Sequence, residues 1–241
     1  MDANVYIGTS GWHYKHWRGP FYPDGIRPNG MLDFYLRSFD TVELNNTFYR
    51  LPTVDAVRQW RESTPPEFLF AAKGSRYLTH MKKLKDAALA VEKYFALLDL
   101  LGDKLGVVLF QLPPFWECDT ARLEEFLPVL PAGRRYAFEF RNPTWHNDAV
   151  YRILERHNAA WCCWDLAGFQ SPILVTGDSA YVRLHGPGGP YQGSYSDEAL
   201  RKWAERIQQW RTGLQAVFFY FDNDIGGFAV ANALTLKRFV F

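Results

Sequence analysis

The chain has 241 residues, of which 48% are hydrophobic and 22% are charged, and its formal net charge is +1. This composition is typical of a globular protein and excludes a disordered or fibrous chain. A net charge near zero provides no global attraction to nucleic acid or to an anionic membrane, so any such attraction must be local.

The segments that decide the compartment point to the cytoplasm. A predicted strand begins within the first five residues, which leaves no room for a signal peptide, and no apolar stretch reaches the length of a membrane span. The three cysteines, Cys118, Cys162 and Cys163, follow no disulfide spacing, which is typical of a reducing compartment. We therefore expect a cytoplasmic protein without membrane contact.

Eight short apolar runs, rich in β-branched and aromatic residues, predict β-strands, and each run ends in polar or charged side chains. In chain order they are Val5–Gly11, Thr41–Asn45, Leu69–Ser75, Gly106–Pro113, Arg135–Arg141, Ala159–Asp165, Ala180–Gly186 and Ala216–Asp224. Helical spacing follows most of them: Met31–Phe39, Val54–Glu62 capped by Thr53, Asp86–Leu101, a helix to Leu127 capped by Asp119 or Thr120, a helix to Arg156 begun by Asn147 or Asp148, Asp197–Arg211 capped by Ser196, and a helix after Gly226-Gly227.

Eight strand–helix units in about 250 residues are the size of a closed parallel (β/α)8 barrel. The sixth unit is irregular, because the residues from Leu166 to Asp178 have no amphipathic period. We predict an α/β fold, a single TIM-type barrel of eight parallel strands that forms one domain over residues 1–241.

Alternation of side chains along each strand predicts which residues point into the barrel. In the fifth strand the large apolar residues Tyr136, Phe138 and Phe140 suit packing against helices, which leaves Glu139 and Arg141 for the interior. The same alternation selects polar residues near the other strand ends: Ser10, Glu43, Asn45, Lys73, Gln111, Asp165, Arg183 and His185. It does not decide between Asp222 and Asn223 in the eighth strand. Barrel enzymes carry their sites at these C-terminal strand ends, so we expect the selected residues to converge on one cavity there.

Three interpretations of this polar layer are open. In the first, its three cations and three carboxylates neutralise one another in a satisfied ion-pair network. In the second the layer is a metal site, and in the third it is an anion site. The cations are Lys73, Arg141 and Arg183, and the carboxylates are Glu43, Glu139 and Asp165. Glu139, Asp165, His185 and Asp222 are suitable ligands for manganese, magnesium or zinc, as in metal-dependent barrel isomerases and phosphodiesterases. Arg141 and Arg183 oppose such a cation and favour a phosphate or carboxylate instead, with backbone N–H groups of the glycine-rich segment from Gly186 to Ser196.

We therefore favour an enzyme acting on a small polar or anionic substrate, such as a sugar phosphate or nucleotide fragment. No cofactor is predicted, and a divalent metal remains the alternative. Acid–base catalysis is assigned to Glu43, Glu139, Asp165 and His185. Substrate binding is assigned to Ser10, Trp12, Asn45, Tyr49, Lys73, Gln111, Arg141, Arg183 and Asn223.

Aromatic loops and a basic run support a different class of function. The loop after the first strand holds Trp12, His13, Tyr14, Trp17 and Phe21, which form either a packed lid or a stacking platform for a sugar or nucleobase. A basic run, Arg76, Lys82, Lys83 and Lys85, follows the third strand. The alternative function is therefore a nucleic-acid-binding or accessory module.

Six blocks of the sequence resemble one known family. They are Gly8-Thr9-Ser10-Gly11-Trp12, Glu43-Leu44-Asn45-Asn46-Thr47-Phe48-Tyr49, Phe110-Gln111-Leu112-Pro113-Pro114, Phe138-Glu139-Phe140-Arg141, Val182-Arg183-Leu184-His185-Gly186 and Tyr220-Phe221-Asp222-Asn223-Asp224. Together they resemble the YecE-like family, a domain of unknown function. The resemblance implies a TIM barrel and leaves the activity open. Asp222 departs from the Asn that the family usually has, which weakens a role for Asp222 as a metal ligand.

Overall fold

The structure is a computed structural model that describes residues 2–241. Its strands are β1 (Asn4–Thr9), β2 (Thr41–Leu44), β3 (Leu69–Lys73), β4 (Leu105–Leu112), β5 (Tyr136–Phe140), β6 (Ala160–Leu166), β7 (Phe169–Gln170), β8 (Ser179–Leu184) and β9 (Ala216–Phe221). Neighbouring strands follow the order β1-β9-β8-β6-β5-β4-β3-β2, and a parallel bridge joins Ser10 to Glu43. The fold is the predicted α/β TIM-type barrel.

The α-helices are α1 (Met31–Tyr35), α2 (Asn46–Tyr49), α3 (Val54–Glu62), α4 (Ala88–Leu98), α5 (Thr120–Phe126), α6 (Asp148–Arg156), α7 (Asp197–Arg211) and α8 (Phe228–Val240). Thr53 and Ser196 cap α3 and α7 through their side-chain oxygens, as predicted. Asp119 and Asn147 are the caps where the sequence left two candidates, because each holds a non-helical backbone from which its side chain reaches the N–H three residues on. Within residues 2–241, none of the helices combines the length and hydropathy that a membrane span requires.

The helix predicted over Asp86–Leu101 is shorter, and a π-helix (Tyr77–Met81) precedes it. Asp86 has a φ of 47°, in the left-handed region, so the helix cannot begin there. The α-helix begins at Ala88 and passes into a 3₁₀ segment, Asp99–Lys104.

The sixth unit is irregular, as predicted, and residues 167–178 of the described chain contain no helix. Strand β6 instead turns back through Ala167 and Gly168 into β7, which pairs with it in the antiparallel sense. Both turn residues have positive φ, 52° and 84°, as a tight two-residue hairpin requires. The sequence did not predict this hairpin.

The chain divides into two compact units. The first unit comprises Met1–Glu43, Cys163–Ile173 and Ser179–Phe241, and the second comprises Leu44–Cys162 and Leu174–Asp178. The prediction of one domain over residues 1–241 stays a prediction.

In the second unit, aromatic packing fixes which face of β5 meets the helices. Phe138 stacks on Phe110 of β4 at 5.4 Å, and Phe126 of α5 packs edge-on against Phe110 at 5.1 Å. Trp145 stacks on Phe140 at 4.9 Å. Glu139, which alternates with these residues, is therefore on the opposite face, as strand alternation predicts.

In the first unit, the same argument settles the orientation of β9. Trp203 of α7 packs against Phe219 at 5.3 Å, so the odd-numbered residues face the helices. The hydroxyl of Tyr220 lies 2.7 Å from that of Thr41 in β2, on the other face. Asp222 shares the face of Tyr220 and points inward, which the sequence had left open.

Candidate functional site

A buried arginine organises the polar residues of the first unit. Arg183, at the end of β8, is fully buried, and its Nη2 donates to Glu43 at 2.7 Å and to Asp222 at 3.0 Å. The same nitrogen donates to the hydroxyl of Ser10 at 3.2 Å. We call Ser10, Glu43, Tyr181, Arg183, His185 and Asp222 the Arg183 cluster.

Glu43 in this cluster is enclosed by donors. It is fully buried and accepts hydrogen bonds from the Tyr181 hydroxyl at 2.5 Å, from Arg183 Nε at 3.2 Å and from the Ser10 hydroxyl. Burial and the neighbouring Glu43 carboxylate raise the pKa of Tyr181, so its hydroxyl remains a donor. Such a carboxylate is held rigidly, with its charge compensated by Arg183.

Asp222 connects Arg183 to a histidine. The Oδ2 of Asp222 lies 2.9 Å from His185 Nδ1, and His185 Nε2 lies 3.4 Å from Arg183 Nη1. The His185 side chain is fully buried. Sequence reasoning considered Asp222 only as a ligand of the metal alternative, and its alternation with Tyr220 would have selected it for the site once the inward face of that strand was known.

Asp165, at the end of β6, is the partly exposed carboxyl of this unit's candidates. The Tyr195 hydroxyl donates to its Oδ1 at 2.7 Å and accepts from the backbone N–H of Gly186 at 2.9 Å. Burial raises the pKa of Asp165, against the opposing effects of the Tyr195 hydrogen bond and of His185. A carboxyl whose pKa is raised by burial is a candidate for acid–base catalysis. Tyr195 lies in the glycine-rich segment, where no periodicity identified it.

Asn223 and Trp12 are held by other contacts. The Asn223 Nδ2 donates to the Gly193 carbonyl at 2.8 Å and to Asn232 Oδ1 of α8 at 2.9 Å. Asn223 therefore fastens the glycine-rich segment to α8. The Trp12 carbonyl accepts from the Tyr22 hydroxyl at 2.5 Å.

The aromatic loop of the first unit packs largely on itself. Trp17 is fully buried, with Tyr14 at 4.7 Å and Phe21 at 6.1 Å between ring centroids. The Tyr14 hydroxyl donates to the Ser10 carbonyl at 2.7 Å, and burial, followed by the Asp222 charge, raises its pKa. This geometry favours the packed-lid interpretation of the loop.

The second unit has its own group of charges, Lys73, His80, Glu139 and Arg141, which we call the Lys73 cluster. The Lys73 carbonyl, at the end of β3, accepts from Thr47 at 2.7 Å and from Tyr94 at 2.8 Å. These bonds fix the backbone from which the lysine side chain extends. Its Nζ lies 4.6 Å from the centroid of the Phe48 ring, a cation–π contact.

Glu139 and Arg141 form an ion pair at the end of β5. Glu139 is fully buried and bonds to Arg141 Nε, while the Arg141 side chain keeps 10% of its surface exposed. Gln111 lies beside Glu139 in the register of β4 and β5. The side-chain oxygen of Asn45 is buried and accepts no hydrogen bond from the described residues, and Tyr49 is 77% exposed.

Positive charge dominates around His80. Its pKa falls to about 4, first because of burial and then because of Lys73, Arg76 and Arg141, whereas Glu139 opposes the shift. Three cations and one carboxylate thus act on this imidazole. Sequence reasoning missed His80, since the π-helix that carries it has no simple hydrophobic period.

Metal-ligand geometry is absent from residues 2–241, in which no three His, Cys, Asp or Glu side chains are grouped to hold an ion.

The sequence matches the family described as "Protein of unknown function DUF72" over residues 6–240. UPF0759 protein YecE of Escherichia coli K12 is 31% identical over 140 residues, which cover 58% of this chain and 49% of YecE. The chain thus spans about half the length of that relative. UPF0759 protein YunF of Bacillus subtilis is 24% identical over 267 residues, with 95% of this chain and 92% of YunF covered. The family predicted from the six sequence blocks is confirmed.

Solved structures are similar over nearly the whole chain. A DUF72 family protein from Thermotoga maritima has a TM-score of 0.90 at 28% identity, with 98% of each chain covered. A DUF72 family protein from Enterococcus faecalis has a TM-score of 0.85 at 17% identity, with 98% of this chain and 95% of that chain covered. The second comparison concerns the fold alone.

Proposed function

The chain belongs to the DUF72 family, proteins of unknown function, and we propose that this member is an enzyme acting on a small polar substrate that carries an anionic group. The observation that carries the proposal is the excess of positive charge around His80: burial lowers the pKa of His80 first, and Lys73 and Arg141 of the Lys73 cluster, with the neighbouring Arg76, lower it further against the single carboxylate of Glu139. An unbalanced group of cations at the C-terminal ends of barrel strands favours an anion.

Lys73 and Arg141 bind the anionic group in this proposal. Their side chains are largely buried, which restricts the bound group to one as small as a phosphate or a carboxylate. Glu139 orients Arg141 through their ion pair. The substrate class is therefore that of sugar phosphates and nucleotide fragments.

Within the first unit, Asp165 is the residue that we assign to proton transfer. Of the four predicted acid–base residues, Glu43, Glu139 and His185 are fully buried, whereas Asp165 is partly exposed and has a raised pKa. The Tyr195 hydroxyl orients its carboxyl. Arg183 is enclosed by Glu43 and Asp222, which supports a role in holding those carboxylates rather than in contacting substrate.

A thermal-melting experiment on Arg141 variants tests the anion site. Saturating phosphate or sugar phosphate at about a hundred times its Kd stabilises a protein by about 2.7 kcal/mol. This corresponds to an increase in Tm of roughly 5–11 °C for a chain of this length. We expect this increase in the wild type and in the control Arg152→Ala, whose arginine is exposed on α6.

Two Arg141 variants separate binding from stability. Arg141→Ala leaves Glu139 buried without its partner, which costs about 3–5 kcal/mol, so its melting temperature falls. Arg141→Met with Glu139→Gln removes both charges and should recover most of that stability without recovering the response to phosphate. A wild-type Tm that is indifferent to phosphate and to a panel of sugar phosphates at millimolar concentration contradicts the proposal. Stoichiometric metal that survives dialysis and is lost in Asp165→Ala would favour the metal-dependent alternative.

A further inference from the structure

The second unit has an open groove of about 580 Å³ beside the π-helix. Its walls come from α2 and the residues after it, from the π-helix, and from α4. Aromatic and apolar side chains line it, among them Phe48, Tyr49, Tyr77, Met81 and Leu89. This volume is within the usual range for ligand-binding clefts, roughly 300–1,000 Å³.

The apolar residues of the groove are exposed to an unusual degree. Tyr49 is 77% exposed, Met81 69% and Tyr77 45%. A group of large apolar side chains left in solvent marks an interaction site more often than a structural one. Two of the three are tyrosines, whose rings provide stacking surfaces.

Positive charge surrounds these rings. The groove is lined by Arg50, Arg76, Lys82 and Lys93, with Asp86 as the acidic residue among its lining side chains. This local excess of three positive charges exceeds the +1 of the whole chain. Lys82 Nζ lies over the Tyr77 ring, 5.9 Å from its centroid, so a positive charge lies next to one of the stacking surfaces.

The backbone at the groove has two uncommon features, a π-helix and three non-glycine residues with positive φ. The π-helix places Leu78 in the core, where it is fully buried, while Tyr77 and Met81 remain outside. Immediately after it, Lys83, Leu84 and Asp86 have φ of 47°, 65° and 47°. Non-glycine residues adopt the left-handed region at an energetic cost, and such strain and π-helical turns concentrate at functional sites.

We propose that this groove binds single-stranded nucleic acid. Bases stack on Tyr49 and Tyr77, and the cationic residues contact the phosphates, which is the combination that non-specific single-strand binding uses. An acidic peptide is complementary to the cationic residues of the groove but provides no flat rings to stack on Tyr49 and Tyr77. A duplex keeps its bases stacked on one another and offers no base faces to the tyrosines.

The groove adjoins the Lys73 cluster through one shared side chain. Phe48 lines the groove, and its ring contacts Lys73 Nζ at 4.6 Å and the His80 ring at 5.0 Å. A strand in the groove therefore lies beside those cations. The inference does not rest on the proposed function, because the variants that test it leave Lys73, Arg76 and Arg141 unchanged.

Fluorescence anisotropy with the full chain tests the proposal. The probe is a labelled single-stranded oligodeoxythymidine of about twelve nucleotides. Tyr49→Ala with Tyr77→Ala should weaken its binding by about tenfold or more, because the stacking surfaces are removed. Tyr77→Leu, which keeps an apolar side chain, is the second variant and should lose affinity in the same direction. Phe115→Ala is the matched control, since Phe115 is 71% exposed and does not line the groove.

The charges are tested by salt dependence. Lys82→Glu with Lys93→Glu should weaken binding by tenfold or more and reduce the slope of log affinity against log salt by about 1.4, or about 0.7 for each phosphate that is no longer neutralised. Arg152→Glu, a reversal on exposed α6, should change binding by less than about twofold, as expected of a cation remote from phosphate.

Four results overturn the proposal. They are absence of binding, equal losses in the control variants, equal competition by a duplex of the same length, and equal competition by a polyglutamate peptide. The last of these assigns the groove to acidic peptides.

Discussion

Replacing Arg183 with methionine should strongly destabilise the protein. Methionine keeps most of the aliphatic volume but removes a guanidinium that contacts Glu43 at 2.7 and 3.2 Å and Asp222 at 3.0 Å. Glu43 is fully buried and Asp222 is 6% exposed, so water cannot replace these contacts. Two carboxylates would remain buried without their compensating cation.

The magnitude follows from this burial. Removing one partner of a buried ion pair costs about 3–5 kcal/mol, because the remaining charge is left uncompensated. In a chain of this length 1 kcal/mol corresponds to roughly 2–4 °C, so Arg183→Met should melt about 6–20 °C lower. Calorimetry measures the change in melting temperature, and urea denaturation followed by circular dichroism measures the change in the free energy of unfolding independently.

Two further variants test whether the loss of stability in Arg183→Met comes from uncompensated buried charge. Arg183→Met combined with Glu43→Gln should recover about half of the loss, because the amide oxygen still accepts from Tyr181 and the buried charge has gone. Arg152→Met on the exposed face of α6 should change stability by less than about 0.5 kcal/mol. A loss below about 1 kcal/mol in Arg183→Met would show that the buried charges are not coupled as the distances imply.

Two other predictions concern a histidine and a glycine. His80 should titrate by NMR at about pH 4, and Lys73→Gln should raise that pKa whereas Lys82→Gln leaves it largely unchanged. Because the folded-state pKa of His80 lies below its ordinary 6.5, the stability it contributes is complete above pH 6.5 and is lost as pH falls toward 4; an unshifted titration contradicts the cationic environment. Gly186→Ala should cost about 1–3 kcal/mol, since Gly186 has a φ of +116° and a Cβ there lies 2.7 Å from the Gln192 backbone nitrogen. Gly188→Ala, whose Cβ has no neighbour closer than 3.8 Å, should melt like the wild type, and equal losses in the two variants would refute the steric argument.

Local pattern was sufficient for the strands, most helix boundaries and the fold class. Strand alternation has a period of two and depends on neighbouring residues, so it could assign Glu139 and the phenylalanines beside it to opposite faces without knowledge of any partner. Capping is equally local, because the Thr53 and Ser196 side chains reach N–H groups three residues away. The resemblance to YecE-like proteins rested on short blocks at the same strand ends.

Contacts between distant segments decided the rest. Arg183 meets Glu43 across 140 residues of sequence, and Tyr195 reaches Asp165 across 30, and no local period encodes either distance. The inward turn of Asp222 depends on the packing of Phe219 against Trp203 of α7, since β9 is apolar on both faces. The π-helix, in which Leu78 is fully buried, and the left-handed residues after it were likewise not indicated by any local period of the sequence. Sequence therefore determines which side chains lie at the strand ends, and tertiary packing determines which of them become partners, because hydrogen bonds and ion pairs depend on distances in space rather than along the chain.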